Sequence, residues 1–256
     1  MSISKRVDSL DSIQSSQYSF PYHYIPNAKK FPNFSESWAF APSYIAALNI
    51  FSDWFSSIPK KGDHIHMDYG CGDGGFVNAL ASFEDHRAVK FSGIDYDENA
   101  VRWAYLFSNG DTEFTVGDIA TLPSRKYDTG SLIEVYEHIP PSECPSFLKS
   151  ISVSLKKGAP LFITVPSTQK PVGDKHYRHF DFFTLKNEFA EFFDVEFVFG
   201  FEKVNFLAKL LAKVSSTRWW YFETLVTNNM LVAQFQRAHE CANGCGRLAM
   251  VVRNRD

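Results

Sequence analysis

The sequence lacks an excess of basic residues. Its 26 lysines and arginines are outnumbered by 29 aspartates and glutamates, and the formal net charge is −3. Proteins that bind nucleic acid generally carry a basic patch and a high isoelectric point. The composition therefore argues against nucleic acid as a partner.

Long apolar stretches are also missing. No run of 18 apolar residues occurs, so we expect no transmembrane helix. Residues 1–17 are polar and lack the apolar segment of a secretory leader. The four cysteines form no disulfide framework, and Cys241 and Cys245 with His239 match no usual zinc spacing. We therefore expect a cytoplasmic protein without a structural metal.

The chain does contain enough apolar residues for one full core. It has 256 residues, of which 45% are hydrophobic and 25 are phenylalanine. Residues 1–42 are irregular and rich in aromatics and proline, whereas residues 43–58 are helix-periodic with Ser43 as the N-cap. We expect residues 1–60 to be an arm and helix packed on a domain of residues 61–256. The arm either roofs a ligand pocket or only covers core.

Four glycines lie between a strand pattern and a helix pattern, in residues 64–76, which read HIHMDYGCGDGGF. The alternating pattern ends at Tyr69, and the helical pattern begins at Phe76. Glycine permits positive φ and lets a ligand approach the backbone closely. Free N–H groups at the start of the helix would favour an anionic group of that ligand. The stretch predicts a ligand-binding loop.

Two cofactors fit this loop. Gly70-x-Gly72-x-x-Gly75 matches the dinucleotide fingerprint. Asp68-x-Gly70-x-Gly72-x-Gly74 resembles the first motif of the class I S-adenosylmethionine (SAM) methyltransferases. The loop by itself does not choose between NAD and SAM.

Acids after the next two strand patterns favour SAM. Asp95 lies 21 positions after Gly74, a spacing at which an acid accepts both hydrogens of a ribose diol. In the methyltransferases that the chain resembles, an acid at the position of Asp118 binds the adenine amino group, which dehydrogenases do not need. The resemblance also puts Asp68 near the methionine amino group. It implies cofactor-binding residues at Asp68, Gly70, Cys71, Gly72, Gly74, Asp95, Tyr96, Asp118, Ile119 and Glu134.

Strand and helix patterns alternate along the chain. Strands are expected at 64–69, 89–95, 113–116, 127–135, 161–165, 194–201 and 247–253, and helices include 145–155 and 184–193. This order implies a parallel sheet with crossover helices. The resemblance, which covers roughly residues 62–202, makes the last strand antiparallel. We expect an α/β fold of class I methyltransferase architecture, with a Rossmann-like, seven-stranded, mostly parallel sheet and helices on both faces.

Titratable side chains follow the fourth and fifth strands, at the end where open α/β sheets bind ligands. We expect His138 or His179 as general base, with Glu137 and His176 beside them, because an unperturbed histidine pKa lies near neutral pH. The expected site holds no metal.

A metal site is the alternative at this position. Glu134, Glu137, His138 and His179 resemble the two-Glu, two-His site of small-RNA 3′-terminal 2′-O-methyltransferases. Glu134-x-x-Glu137-His138 also resembles the metal-dependent ubiquinone-biosynthesis O-methyltransferases. Mg²⁺ or Mn²⁺ would suit such ligands and would polarise adjacent hydroxyls. The Glu-His pair, however, recurs in metal-free members of the broad family.

A helical insertion is expected near the C-terminus, at about 203–243. Residues 203–240 are helix-like, with an apolar face from Phe206 to Val214 and the tetrapeptide Trp219-Trp220-Tyr221-Phe222. Such a segment is a lid packed on its own domain or a helix lying in a membrane interface. Peripheral membrane contact therefore stays open.

These observations predict a SAM-dependent methyltransferase that methylates a hydroxyl oxygen of a small-molecule acceptor, such as a sugar, a lipid-linked compound or an aromatic. Methyl transfer is an in-line displacement, in which a histidine or glutamate base accepts the hydroxyl proton. The alternatives are a metal-dependent RNA 3′-terminal 2′-O-methyltransferase, a non-catalytic SAM-binding module and a nicotinamide oxidoreductase. The sequence does not indicate an oligomeric state.

Overall fold

Seven strands form one sheet. The computed structural model describes residues 12–13, 15–24, 41–60, 62–83, 86–108, 112–215 and 225–255. The strands are β1 (His64–Tyr69), β2 (Val89–Asp95), β3 (Thr112–Val116), β4 (Thr129–Ile133), β5 (Pro160–Pro166), β6 (Phe193–Lys203) and β7 (Cys245–Asn254). Their order is β3-β2-β1-β4-β5-β7-β6. Strand β7 runs antiparallel to the other six strands, which all point the same way. The predicted seven-stranded, mostly parallel sheet is confirmed.

Seven α-helices are described. They are α1 (Pro42–Ser57), α2 (Gly75–Ala81), α3 (Glu98–Leu106), α4 (Cys144–Ser154), α5 (Phe182–Phe189), α6 (Phe206–Ser215) and α7 (Leu225–Phe235). Asp97 and Asp181 cap α3 and α5 by accepting hydrogen bonds from backbone N–H groups. The prediction of Ser43 as the cap of α1 is wrong. Pro42 begins that helix, because proline has the helical φ and no N–H to leave unpaired.

The core lies on both faces of the sheet. On one face, Phe51 and Phe55 of α1 pack with Phe91 of β2. On the other face, Ile151 of α4 and Phe189 of α5 belong to a second buried cluster. Each of these side chains is essentially inaccessible to water. Burying a side chain of this size stabilises a fold by roughly 1.5–3 kcal/mol.

The sheet changes its winding direction between β1 and β4. From β1 the chain moves outward to β2 and β3, and it then returns to β4 on the opposite side of β1. Ligands of open α/β sheets bind in the crevice that such a reversal opens at the carboxyl ends of the strands. The glycine loop follows β1 at this crevice, and Glu134 follows β4.

The expectation that residues 203–240 are helix-like is wrong at both ends of the range, although two helices lie within it. Lys203 belongs to β6 and pairs with Cys245 of β7, so the helix begins only at Phe206. Helices α6 and α7 are separated by residues 216–224, which lie outside the described residues. Residues 236–244 are not helical, and His239 forms a bridge with Gly200. Pairing within the β6–β7 hairpin outweighs the local helical pattern at both ends of the segment.

Helix α5 also differs from its expected range of 184–193. It begins two residues earlier because Asp181 accepts a hydrogen bond from the Thr184 N–H. It ends at Phe189, and Phe193 pairs with Asn254 at the start of β6. A residue in a sheet ladder cannot also continue a helix.

Among the described residues, none forms a helix long and apolar enough to cross a membrane. The segment considered for interfacial contact is described only in part. Phe206 and Leu210 of α6 are exposed. The tetrapeptide Trp219 to Phe222 lies outside the described residues.

Candidate functional site

A cavity of about 750 Å³ lies at the carboxyl ends of the central strands. The predicted cofactor residues that line it are Asp68, Gly70, Cys71, Gly72, Asp95, Tyr96, Asp118, Ile119 and Glu134. Gly74 does not line the cavity, because it caps α2 with a φ of 75°. The predicted catalytic residues Glu137, His138, His176 and His179 line the same cavity. The fold therefore brings both predicted sets together.

The glycine loop needs glycine at position 72. Gly72 has a φ of 54°, and a Cβ there would lie 2.6 Å from the Tyr18 hydroxyl oxygen. Any other residue would strain the backbone at this φ, and its Cβ would collide with the Tyr18 hydroxyl. The loop is held against β2, because the N–H groups of Gly70 and Cys71 both donate to the carbonyl oxygen of Ile94.

Carboxylates accept hydrogen bonds from one N–H group of the glycine loop and one at the start of α2. The Gly72 N–H donates to Asp95 at 2.8 Å, and the Gly75 N–H donates to Asp73 at 3.4 Å. Asp73 is fully buried at the start of α2. The expectation that N–H groups at the helix start favour an anionic ligand group stays a prediction, but at Gly75 such a group would face Asp73. This arrangement disfavours a dinucleotide and suits a cofactor without phosphate.

Three acids surround the cofactor end of the cavity. Asp68 accepts a hydrogen bond from Ser131, and Asp95 also accepts one from the Asp97 N–H at 3.0 Å. Asp118 is exposed at the end of β3 and accepts from the Ala120 N–H. These acids would attract a cationic ligand.

Burial raises the pKa values of two of these acids. The pKa of Asp68 is raised to about 7, mainly by burial, while the bond from Ser131 opposes the shift. The pKa of Asp95 is raised to about 6 by burial, against the hydrogen bonds from Asp97 and Gly72. A cation beside them would restore their ionised forms.

Part of the N-terminal arm forms a wall of the cavity. Tyr18, Tyr22 and His23 all line it. His23 Nδ1 lies 2.6 Å from Asp73 in the glycine loop, and the Trp103 indole N–H donates to the Tyr18 carbonyl at 2.9 Å. Residues 18–23 therefore roof the glycine loop. The arm residues 1–11 and 25–40 lie outside the described part of the chain.

The histidines of the acceptor side are oriented by backbone carbonyls. His138 Nδ1 lies 3.0 Å from the Lys175 carbonyl oxygen, and His179 Nδ1 lies 3.1 Å from that of Lys170. A carbonyl only accepts, so each neutral ring donates from Nδ1 and keeps a lone pair on Nε2. His179 Nε2 lies 2.7 Å from His176 Nδ1 and accepts its hydrogen. His176 therefore keeps its own lone pair on Nε2.

Burial lowers the pKa values of His138 and His176, in contrast to the unperturbed histidine that the sequence suggested. The pKa of His138 is lowered to about 4 by burial and by the charge of Lys175. The pKa of His176 is lowered to about 3, mainly by burial. The pKa of Glu137 is raised well above its usual range by burial and then by the charge of Glu134. At neutral pH His138 and His176 are therefore neutral.

Glu134 belongs to a buried ion network. Its carboxylate accepts from Arg247 Nε at 2.9 Å, and Arg247 also pairs with Glu202. Lys170 donates to both oxygens of Glu202, at 2.9 and 2.7 Å. The network links the end of β4 to β6 and β7, and its residues Glu134, Lys170 and Arg247 line the cavity.

A family model described as a methyltransferase domain matches residues 43–206. The match covers more than half of the chain. The chain belongs to this methyltransferase family. It is a SAM-dependent methyltransferase with the class I fold, as the first resemblance implied.

Solved structures of methyltransferases share this fold. A SAM-dependent methyltransferase from Archaeoglobus fulgidus is 18% identical at a TM-score of 0.57, over 86% of this chain and 98% of its own. The 1,6-didemethyltoxoflavin-N1-methyltransferase of Burkholderia thailandensis is 15% identical at a TM-score of 0.58, over 97% of this chain and 90% of its own. Phosphoethanolamine N-methyltransferase 2 of Haemonchus contortus is 15% identical at 0.60, over 98% of this chain and 60% of its own. A comparison with curated proteins finds no match.

Three possible ligand groups of the methyltransferase converge on one point. Atoms of Glu137, His138 and His176 all lie within 4.8 Å of one another. This group differs from the four-residue set considered from the sequence. Glu134 is paired with Arg247, and His179 is bonded behind His176, so neither joins the group that the described residues form.

Several cavity residues of the methyltransferase were not expected from the sequence. Asp73, which lies behind the cavity wall and contacts His23, was available as a signal, because an acid between two glycines opposes a phosphate. Arg247 and Lys170 carry no local signal. Their shared partner Glu202 lies 32 positions from Lys170 and 45 positions from Arg247 along the chain. Tyr18 and His23 lie in an irregular arm whose packing the sequence does not specify.

Proposed function

We propose that this methyltransferase transfers the methyl group of SAM to a hydroxyl oxygen of a small-molecule acceptor, with His138 as the general base. The observation that carries the proposal is the orientation of His138. Its Nδ1 is held by the Lys175 carbonyl, so the Nε2 lone pair is directed to the cavity side, 3.9 Å from Glu137. A base must present such a lone pair to the hydroxyl that it deprotonates.

The cofactor end of the cavity fits SAM by charge. Bound SAM supplies an electrophilic methyl group and a good leaving group. We assign Asp68 to the methionine ammonium, Asp95 to the ribose hydroxyls and Asp118 to the adenine amino group. The acids at the glycine loop would repel the pyrophosphate of NAD. Binding of NADH in preference to SAM would contradict this assignment.

On the acceptor side, His138 would take the hydroxyl proton while the oxygen attacks in line with the methyl group. Its low pKa keeps it neutral at neutral pH, and contact with the developing alkoxide favours the protonated ring. His176 and Glu137 complete the wall around the acceptor.

A small acceptor is supported by the form of the cavity. Residues 18–23 roof the cofactor end, and the whole cavity measures about 750 Å³, which is within the range of small-molecule sites. The similar 1,6-didemethyltoxoflavin-N1-methyltransferase was solved with bound 1,6-didemethyltoxoflavin. We also place the reaction in the cytoplasm, which fits four cysteines that are free thiols.

The test combines methyl-labelled SAM with an extract of source cells that is separated into small-molecule, lipid and RNA fractions. Label in the small-molecule or lipid fraction is expected, in a product that resists treatments specific for N-methyl groups. The variant His138→Asn should lower the transfer rate by roughly 10²–10⁴-fold with unchanged SAM affinity. His239→Asn, a histidine that does not line the cavity, is the matched control and should keep full activity. SAM binding without label in any fraction would favour a non-catalytic module.

A metal-assisted reaction is the second candidate, and one observation favours it. Both oxygens of Glu137 are buried without a hydrogen-bond partner among the described residues, and they face two histidine lone pairs. Acceptors that converge without a donor are satisfied by a proton or by a cation. Mg²⁺ or Mn²⁺ would be held there by Glu137, His138 and His176 and would polarise the acceptor hydroxyl.

Chelation separates the two candidates. If His138 is the base, EDTA leaves the transfer rate unchanged, and Mn²⁺ added to the chelated enzyme has no effect. If a metal is required, EDTA abolishes transfer and Mn²⁺ restores it. Label recovered in the RNA fraction together with this requirement would replace the small-molecule acceptor by an RNA 3′ end.

A further inference from the structure

A row of buried polar side chains runs along the middle of the sheet to the cofactor end of the cavity. His64, His66 and Asp68 alternate along β1 and therefore share one face of the sheet. In β4, Thr129 lies opposite His66 and Ser131 lies opposite Asp68. All five are buried, at 4% exposure or less. Of the five, only Asp68 lines the cavity.

Hydrogen bonds connect this row without a gap. His64 Nε2 lies 3.1 Å from the Thr129 hydroxyl, which lies 2.8 Å from His66 Nδ1. His66 Nε2 lies 2.9 Å from the Ser131 hydroxyl, and that hydroxyl donates to Asp68 Oδ1. This hydrogen-bond chain, from His64 through Thr129, His66 and Ser131 to Asp68, links β1 to β4 and ends on the Asp68 carboxylate.

An ionised Asp68 sets the direction of every bond in the chain. A carboxylate only accepts, so Ser131 donates to it and must accept from His66 Nε2–H. Burial lowers the pKa of His66 to about 3, so the ring is neutral and its Nδ1 accepts from Thr129. Thr129 in turn accepts from His64 Nε2–H. All four dipoles then point their positive ends toward Asp68.

Aromatic rings hold His66 in place. The rings of Phe51 and Phe55 from α1 and of Phe91 from β2 contact it, with centroids 5.3 to 5.5 Å away. The ring is boxed on several sides, so its two nitrogen atoms stay aligned with Thr129 and Ser131. Aligned dipoles in a dry interior stabilise a charge more strongly than they would in water.

We propose that His66 is a positioning residue for the cofactor, acting through Ser131 to hold the Asp68 carboxylate in the orientation that receives the methionine ammonium of SAM. The inference rests on the proposed assignment of Asp68 to that ammonium. It makes cofactor affinity depend on side chains that never contact the cofactor.

The test compares two ligands on matched variants. SAM carries the ammonium, whereas methylthioadenosine carries the same nucleoside without it. Thr129→Val and Ser131→Ala each break the chain with a change of one or two atoms. His86→Gln is the control, because His86 is buried against Phe55 and Phe91 but bonds to Leu80 and Ser56, away from Asp68.

The two variants of the hydrogen-bond chain are expected to weaken SAM binding by roughly 10-fold, which corresponds to one charge-assisted hydrogen bond. Their affinity for methylthioadenosine should stay within about twofold of wild type. His86→Gln should leave the ratio of the two affinities unchanged. Parallel loss of both ligands in the chain variants, or no loss of either, would overturn the role of the chain. A general packing defect moves both ligands and so cannot imitate the expected result.

The pH dependence gives a second readout. The charged and titratable groups that face Asp68 are Asp95 from β2, Tyr44 from α1 and Cys71 from the loop, and Ser131 faces it from β4. SAM affinity of the wild type is expected to rise with pH through about 7. Ser131→Ala removes a bond to the ionised form, so its midpoint should move up by about one pH unit. An unchanged midpoint would argue against the chain.

Asp68→Asn separates the inference from the proposed function. If Asp68→Asn lowers the preference for SAM over methylthioadenosine but the chain variants do not, only the role of the chain fails. If Asp68→Asn also keeps the wild-type preference, the assignment of Asp68 to the ammonium fails as well.

Discussion

Glu134 and Glu202 both hold a left-handed backbone, with φ of 55° and 56°, and both place a carboxylate oxygen on the Arg247 guanidinium. One follows β4 and the other lies in β6. A non-glycine residue in this conformation costs roughly 1–2 kcal/mol. Two such residues around one buried arginine indicate that the ion network, and not the local backbone preference, decides the conformation of both.

Replacing Arg247 should therefore be severe. Arg247→Leu removes the cation from Glu134 and leaves Glu202 with Lys170 alone, at a cost of roughly 3–5 kcal/mol in the free energy of unfolding. The control is Arg253→Leu on the same strand, where a half-exposed pair with Glu196 should contribute less than about 1 kcal/mol. Urea unfolding of the two variants measures the difference. Equal losses would mean that the buried network contributes no more than a surface pair.

Gly72→Ala should impair both stability and cofactor binding. The new Cβ meets the Tyr18 hydroxyl and also adopts positive φ, so the roof over the loop must move. Gly158→Ala isolates the backbone strain, because Gly158 has a φ of 72° and no neighbour within 4 Å. Both variants should lose roughly 1–2 kcal/mol from strain, and only Gly72→Ala should also lose SAM affinity, measured by calorimetry. Equal SAM affinities in the two variants would show that the contact with Tyr18 does not matter.

Asp95→Ala is expected to abolish measurable SAM binding. The variant removes the proposed acceptor of two ribose hydroxyls, and hydrogen bonds to a charged group contribute about 1.5–3 kcal/mol each. It also releases the Gly72 N–H that anchors the loop. Asp97→Ala is the neighbouring control, because Asp97 caps α3 and does not line the cavity. It should lose about 1 kcal/mol of stability and keep its SAM affinity. Unchanged SAM affinity in Asp95→Ala would contradict the assignment.

Asp68→Asn should stabilise the cofactor-free protein in a pH-dependent way. The folded-state pKa of Asp68 is raised to about 7, above the ordinary value of 3.8. Between these values the folded protein holds a proton that the unfolded chain has lost, so this group lowers stability as the pH rises. The gain from Asp68→Asn should grow from pH 4 to pH 7, by up to ~4 kcal/mol, and then level off. Urea unfolding across this range measures it, and a gain independent of pH would contradict the raised pKa.

The glycine loop shows how far a local pattern reaches. Residues 64–76 predicted a strand, a turn and a helix, and the structure contains all three. The same residues suggested free N–H groups for an anion, but the Gly72 and Gly75 N–H groups already donate to carboxylates. Whether an amide is free depends on Asp95, a residue 23 positions from Gly72, and the periodicity of the loop contains no information about it.

The histidine pair of the acceptor side shows the same limit. His138 was identified from its neighbours in the sequence, but its tautomer depends on a carbonyl 37 positions away. Its low pKa depends on burial, which the flanking residues do not determine. The metal alternative changed for a similar reason, since Glu134 turns to Arg247 of β7.

The sequence by itself determined the order of strands and helices, the position of the cofactor loop and the methyltransferase family. The elements and the loop depend on hydrophobic periodicity and on glycine, which act over a few turns of chain, and the family followed from the resemblance of the loop and the later acids to known motifs. Only the tertiary structure decided which polar groups meet: Arg247 between two glutamates, His66 on the way to Asp68, and Asp73 against His23. Buried polar groups must find partners wherever the fold brings them, and those partners are distant along the chain because packing, not sequence proximity, brings them together.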